Sequence, residues 1–126
     1  MEYEIVTSPD APASVGPYSQ ATRAGDFVFC AGQAAFDPAT GQIVGGGIGP
    51  QTEQVLRNLE AVLKAAGSGL ERVVKVTIFL EDWRDFAGMN EVFARFFPDR
   101  PPARSTIQGT RWPEESLVAI EAVALA

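Results

Sequence analysis

The segment from Val73 to Leu80 constrains the fold of this chain more than any other stretch. It is rich in β-branched residues, which favours a strand, and alternate side chains along a strand point to opposite faces. Helical spacing of apolar residues predicts one helix before it, from Pro50 to about Ala66. A second helix is predicted after it, capped by Asp82 or Asp85 and running to about Phe97, with an apolar stripe of Phe86, Met89, Phe93 and Phe96.

Further strands are predicted on both sides of this central unit. Residues Ala21 to Ala34 form a predicted hairpin, with its turn at Ala24-Gly25-Asp26. The strands Ser105–Gly109 and Leu117–Ala124 complete the chain. The order ββ-α-β-α-ββ predicts an α+β fold, in which two helices pack on one face of a mixed sheet. The length of 126 residues, with no repeat and no linker, predicts a single domain over residues 1–126.

Strand alternation assigns the residues of the late strands to two predicted faces. The face under the helices carries Val74, Val76, Ile78, Ile107, Val118, Ile120 and Ala122. The opposite face carries Lys75, Thr77, Arg104, Thr106, Gln108, Ala119 and Glu121. A solvated outer face would explain the polar residues, but not the apolar Phe79, Leu117 and Val123 among them. A mixed face also fits a subunit interface with polar pockets, so the pattern favours a homo-oligomer.

Composition excludes several kinds of chemistry. The sequence has no histidine and a single cysteine, Cys30, so Ser-His-Asp and Cys-His catalysis and most zinc sites are excluded. An intrachain disulfide is also impossible, which suits a reducing compartment. The net charge of −6 disfavours nucleic acid as a partner. No apolar run approaches ~18 residues and the N-terminus is acidic, so we expect a cytoplasmic protein without membrane contact.

Five short motifs occur together in this chain. They are Gly16-Pro17-Tyr18-Ser19-Gln20, Cys30-Ala31-Gly32-Gln33, Asn58-Leu59-Glu60-Ala61-Val62-Leu63, Asp85-Phe86-Ala87-Gly88-Met89-Asn90-Glu91-Val92-Phe93 and Pro102-Ala103-Arg104-Ser105-Thr106. With these motifs in this order, the chain resembles the RidA/YjgF/UK114 family of reactive-intermediate (enamine/imine) deaminases. The resemblance extends from about Ala11 to Ala124, which is nearly the whole chain.

The resemblance implies a chorismate-mutase-like subunit and a homotrimer with its sheets facing inward and three clefts between subunits. It also implies hydrolysis of 2-aminoacrylate-type enamines and imines to 2-oxo acids and ammonia. No metal and no organic cofactor is implied, and the expected small-molecule partner is an imino acid or a 2-oxo acid.

The resemblance also assigns roles to individual residues. Arg104 matches the substrate-binding arginine, whose planar guanidinium suits a carboxylate, although a structural salt bridge would equally explain an arginine after a proline-rich turn. Tyr18 matches a pocket tyrosine that places water or the substrate nitrogen, or is a packed aromatic. Gly32 offers a backbone N–H to the substrate carboxylate, or forms a strand-end bulge. Asn90 matches a helix asparagine, which we interpret as a structural hydrogen-bonding residue.

Several positions depart from the family pattern. The glutamate that positions the attacking water in the family aligns with Ala119. Glu121, two residues further on, shares that face but lies about 6.6 Å away along the strand. Three more departures affect the expected pocket: Ala31 for a serine, Thr106 for a frequent cysteine, and, at the cleft rim, Trp112-Pro113 for Leu-Pro.

The departures leave more than one function open. A cytoplasmic enamine/imine deaminase is the first hypothesis, with Arg104 and Tyr18 as its catalytic residues and with Gly32, Ala31, Asn90, Thr106 and Glu121 around the substrate. The alternative is a non-catalytic protein that binds small carboxylates, since the glutamate position is Ala119. A nuclease or translation-inhibitor activity is the third hypothesis, which the negative charge and the absence of histidine disfavour.

Overall fold

The computed structural model describes residues 2–109, 112 and 115–126. Six strands form one mixed sheet in the order β1-β2-β3-β6-β4-β5. The pair β4–β5 is parallel, whereas the other neighbours are antiparallel. The strands are β1 Glu4–Val6, β2 Ala21–Ala24, β3 Phe27–Ala34, β4 Val73–Leu80, β5 Ala103–Gln108 and β6 Val118–Leu125.

Two helices, α1 (Ile48–Ala65) and α2 (Phe86–Phe96), contact each other and share one hydrophobic core with the sheet. Helix α1 packs against β3 and β6. The largest fully buried side chains come from both layers: Leu56, Leu59, Leu63, Ile78, Leu80, Met89 and Ile120. The predicted α+β fold with a mixed sheet and two helices is therefore confirmed.

The helix boundaries differ slightly from the prediction. Helix α1 begins at Ile48, two residues before Pro50, and follows Gly47. The carboxylate of Asp82 accepts a hydrogen bond from the Arg84 amide at 2.9 Å and caps a short 3₁₀ helix, Trp83–Asp85, that leads into α2. Strand β1 was not predicted.

An irregular step in β4 corrects the predicted position of Val74. The pairing of β4 with β6 shifts between Val73 and Lys75. Val73 is consequently buried in the core, while Val74 is exposed, contrary to the alternation. From Val76 onward the predicted faces hold, because Val76, Ile78 and Leu80 are all buried.

The face predicted for the residues of β5 is also wrong. Arg104 lies opposite Val76, and Thr106 lies opposite Ile78, in the parallel pairing with β4. Paired residues of neighbouring strands share a face, so both side chains are on the helix side of the sheet. Ile107 was expected in the core but pairs with Phe79 on the opposite face and is exposed. The residues of β5 are too mixed in polarity to fix their own orientation.

In the described part of the chain, no helix covers the other side of the sheet, which we call the open face. Ile5, Thr22, Phe29 and Val123 are successive partners across β1, β2, β3 and β6. The large apolar side chains exposed on it are Ile5, Phe27, Phe29, Ile107 and Leu125. Exposed apolar surface of this kind is typical of interaction faces.

Candidate functional site

The loop that carries Tyr18 is fixed by the buried amide of Gln20. The Gln20 Oε1 atom accepts a hydrogen bond from the Ser8 amide at 2.6 Å, and its Nε2 atom donates to the carbonyl of Pro12 at 2.7 Å. The phenol of Tyr18 is about half exposed, and its hydroxyl accepts a hydrogen bond of 3.4 Å from the Val15 amide. One buried side chain therefore connects both ends of this loop.

The end of β3 is the second part of the site. The ladder between β3 and β6 is irregular between Cys30 and Gln33, so Gly32 lies within a bulge, as one of its two interpretations predicted. Ala31 is bound to the residue before β2, since its amide donates to the Gln20 carbonyl at 2.9 Å. The following residues are held from α1, where Asn58 Nδ2 donates to the Phe36 carbonyl at 2.8 Å.

Tyr18 and Gly32 line one cleft of about 430 Å³, which we call the Tyr18 cleft. Its other lining residues are mostly apolar and include Pro12, Val15, Phe36, Pro38 and Trp112. A cleft of this size is within the range of small-molecule sites, about 300–1,000 Å³.

Trp112 lies over the open face of the sheet and lines the Tyr18 cleft. Its Cη2 atom lies 3.5 Å from the position that a Cβ on Gly32 would take, and its ring centroid lies 5.7 Å from that of Phe79. Gly32 belongs to β3 and Phe79 to β4, so the indole crosses β6 between them. The residue of β6 beside Phe79 is Ala119, which is fully buried. Pro113, predicted with Trp112 at the cleft rim, is outside the described residues.

Arg104 lies in a different place, against α2. Its guanidinium carbon is 5.6 Å from the Phe86 ring centroid and 5.2 Å from that of Phe93. Among residues 2–109, 112 and 115–126, no hydrogen bond and no ion pair within 4.0 Å occupies this guanidinium. Arg104 therefore forms no structural salt bridge with a described residue, contrary to the alternative interpretation. Its guanidinium is available to bind an anion.

Asn90 lines the same open depression, of about 560 Å³, as Arg104, Glu91 and Phe93. Its Oδ1 atom is buried and has no hydrogen-bond partner among the described residues. The interpretation of Asn90 as a structural hydrogen-bonding residue is therefore not supported. Sequence reasoning assigned Phe86 and Phe93 only to the core, although their i, i+7 spacing around Asn90 places all three on one helix face.

A single chain does not bring all the predicted site residues together. Strands β3 and β5 are separated by β6 and β4, which corresponds to about 14 Å across the sheet. The Tyr18 cleft and the Arg104 depression are therefore two separate halves of the predicted site. Thr106 lies on the face of Arg104, whereas Glu121 is exposed on the open face opposite Thr77.

The described residues provide no cysteine nucleophile at neutral pH, because burial raises the pKa of the Cys30 thiol from 9.0 to about 12. No group of three His, Cys, Asp or Glu side chains with metal-binding geometry occurs among the same residues. Neither of the two helices combines the length and hydrophobicity that a bilayer crossing requires.

Known proteins resemble this chain over nearly its whole length. The family model described as Endoribonuclease L-PSP matches residues 8–126. A RutC family protein of Pyrococcus horikoshii is 50% identical over 121 residues, covering 96% of each chain. A mouse protein named 2-iminobutanoate/2-iminopropanoate deaminase is 40% identical over 122 residues, covering 97% of this chain and 90% of its own.

A solved structure shares the fold. The crystal structure of a putative endoribonuclease from Thermotoga maritima superposes with a TM-score of 0.95 at 43% identity, covering 100% of this chain and 98% of its own. With a family match over nearly the whole sequence and the same fold, this chain belongs to the Endoribonuclease L-PSP family, to which the RidA/YjgF/UK114 proteins belong.

Proposed function

We propose that this protein hydrolyses 2-imino acids and their enamine tautomers to 2-oxo acids and ammonia, in the cytoplasm and without a cofactor. The observation that carries the proposal is the Arg104 guanidinium, which is held on two phenyl rings and has no ion-pair partner among the described residues. The name of the mouse relative supports the same class of substrate.

Arg104 binds the substrate carboxylate through two parallel charge-assisted hydrogen bonds, and the flat guanidinium orients the adjoining imine carbon. Water adds to that carbon, and the resulting carbinolamine expels ammonia to leave the 2-oxo acid. The Tyr18 hydroxyl orients the water or the departing nitrogen, while the Gly32 amide supports the carboxylate. Atoms balance, since one imino acid and one water give one 2-oxo acid and one ammonia.

Position 119 holds an alanine, so it provides no carboxylate to act as a general base. Ala119 is buried and flanked by Phe79, and Glu121 is one pleat further along β6. Loss of a general acid or base costs ~10²–10⁴ in rate, so catalysis here relies on orientation of an intrinsically reactive imine. We expect a slower enzyme than one with glutamate at this position.

The complete site is proposed to form between neighbouring subunits of a homotrimer. Two separated half-sites in one chain support this, because Arg104 of one subunit would complete the Tyr18 cleft of the next. The apolar open face supports it independently, since its exposed phenylalanines need a partner surface.

A second candidate, non-catalytic binding of small carboxylates, is favoured by one observation. The position of the family glutamate is a buried alanine beneath Trp112, while the anion-binding arginine is retained. Such a protein would bind 2-oxo acids without turning over imines.

The experiment that tests the proposal couples the purified protein to an amino-acid oxidase and follows imine decay. We expect acceleration by the wild type and its loss, by ~100-fold or more, in Arg104→Ala. The matched control is Arg95→Ala, which removes an equal charge from an exposed position of α2 and leaves the rate unchanged.

Calorimetry with a 2-oxo acid separates the two candidates. Binding by the wild type without imine turnover would support the non-catalytic alternative. If neither binding nor turnover occurs, or if Arg104→Ala behaves as the wild type, both fail.

A further inference from the structure

The Tyr18 cleft offers more apolar space than the side chain of a small imino acid needs. It measures about 430 Å³, and prolines, Val15, Phe36 and Trp112 form much of its lining. Pockets of this size and character accommodate sizeable apolar groups. The name of the mouse relative, in contrast, specifies imino acids of three and four carbons.

Two of the polar side chains that line the cleft, Gln20 and Asp37, form hydrogen bonds with neighbouring backbone. The side-chain amide of Gln20 forms hydrogen bonds with the backbone of Ser8 and Pro12. Asp37 Oδ1 accepts a hydrogen bond from the Ala39 amide at 2.8 Å. No described lysine or arginine lines the cleft. A carboxylate placed deep in it would have no cation, so we expect the charged end of a substrate to bind between Arg104 and the Gly32 amide, and the apolar end to enter the remainder of the cleft.

Trp112 gives this cleft its aromatic wall. The indole lies beside Gly32, which has no Cβ to contact it. It also packs against Phe79, with an angle of 55° between the two ring planes. Gly32, Ala34 and Ala119 are all small, so the indole can lie close to the sheet and present surface to the cleft. Flat indole surface favours stacking and edge-to-face contact with another aromatic ring.

We propose that the Tyr18 cleft is the side-chain subsite of the substrate, and that Trp112 makes it selective for 2-imino acids with large apolar, above all aromatic, side chains. This inference rests on the proposed function and adds the substrate class to it. The carboxylate anchor is common to all 2-imino acids, so discrimination comes from the cleft.

The test compares kcat/KM for imines generated by an amino-acid oxidase from phenylalanine, leucine and alanine. We expect the wild type to prefer the phenylalanine imine over the alanine imine by ~10-fold or more. Trp112→Leu should abolish most of that ratio, because it lowers kcat/KM for the phenylalanine imine far more than for the alanine imine. Trp112→Phe should retain an intermediate ratio, which distinguishes loss of the aromatic wall from damage to the fold.

The matched control uses the other tryptophan. Trp83 stacks on Phe86 beside Arg104, with ring centroids 4.6 Å apart, and it lies outside the cleft. Trp83→Leu acts at the carboxylate end, so it changes the rates for all imines together and leaves their ratio constant. A similar shift of the ratio in both variants would overturn the inference.

Failure of this inference is distinguishable from failure of the proposed function. Imine hydrolysis with no preference for the aromatic substrate, or with a ratio unmoved by Trp112→Leu, overturns the subsite alone. If no imine is hydrolysed, calorimetry with phenylpyruvate and pyruvate still tests the proposed side-chain subsite. Tighter binding of phenylpyruvate that is lost in Trp112→Leu supports the subsite. Equal affinities, as expected if a neighbouring subunit fills the cleft, contradict it.

Discussion

At the scale of single residues, buried amides rather than reactive groups shape the candidate site. Gln20 is nearly inaccessible, and both ends of its carboxamide are bonded to the backbone of residues 8–12. It belongs to the motif that contains Tyr18, yet its role is not chemical. A buried amide with its donors and acceptor satisfied fixes one conformation, and it thereby holds the loop that carries Tyr18 in place.

Gln20→Glu should therefore destabilise the protein by about 1–3 kcal/mol. Glutamate has the same shape but cannot donate, so the carbonyls of Ser8 and Pro12 lose their partner and face a carboxylate instead. Urea unfolding at neutral pH measures the change.

Gln42→Glu is the matched control for this substitution. Gln42 is exposed, and no described residue forms a hydrogen bond with its side chain. The control makes the same change in charge and should shift the free energy of unfolding by less than about 0.5 kcal/mol. Equal losses in both variants would mean that the amide of Gln20 has no special role.

At the scale of the elements, the sequence predicted the helices and strands whose apolar side chains recur at a regular helical or strand spacing. The hairpin of β2 and β3, helix α1 and strand β4 were expected close to where they occur, because apolar spacing or β-branched content defines each. Strand β1 escaped prediction, since Glu4–Val6 is too short to show a period.

The orientation of Arg104 could not be predicted for a related reason. Alternation within β5 shows which residues share a face, but not which face is inward, because its polar and apolar residues are mixed. Pairing with Val76 decides this, and pairing is a tertiary property. The bulges that displace Val74 and Gly32 are likewise invisible in a pattern of period two. The sequence motifs thus identified Arg104, but its support on Phe86 and Phe93 needed the fold.

The start of α1 offers a test of backbone conformation. Gly47 precedes the helix with φ 88° and ψ −161°, a region that is essentially restricted to glycine, and no atom lies within 4 Å of a Cβ added there. Gly47→Ala should thus cost about 1–3 kcal/mol of unfolding free energy through backbone strain alone.

Gly45→Ala provides the comparison for this variant. A Cβ at Gly45 would also meet no atom within 4 Å, but its φ is not positive. We expect a change of less than about 0.5 kcal/mol, measured by the same denaturant titration. If Gly45→Ala and Gly47→Ala unfold at the same denaturant concentration, backbone conformation does not determine where α1 begins.

At the scale of the whole molecule, the covered and uncovered faces of the sheet have different tasks. The helix-covered face forms the core and supports Arg104 at its β5 edge. The open face exposes phenylalanines and carries Trp112 across β6. One chain thus presents two separate parts of the proposed site and an apolar surface. The proposed association of subunits would complete the site and cover the surface.

Phe29→Arg should therefore convert the proposed trimer to monomers and abolish imine hydrolysis together. Phe29 is 46% exposed at the centre of the open face, between Thr22 and Val123, so an arginine fits the isolated subunit but places an unpaired charge in the interface. Ala65→Arg adds the same charge at the exposed end of α1 and should leave both properties unchanged. Light scattering after size exclusion measures the mass, and circular dichroism checks the fold. A folded monomeric Phe29→Arg variant with full activity would show that one chain holds the entire site, contrary to the separation of Arg104 from the Tyr18 cleft.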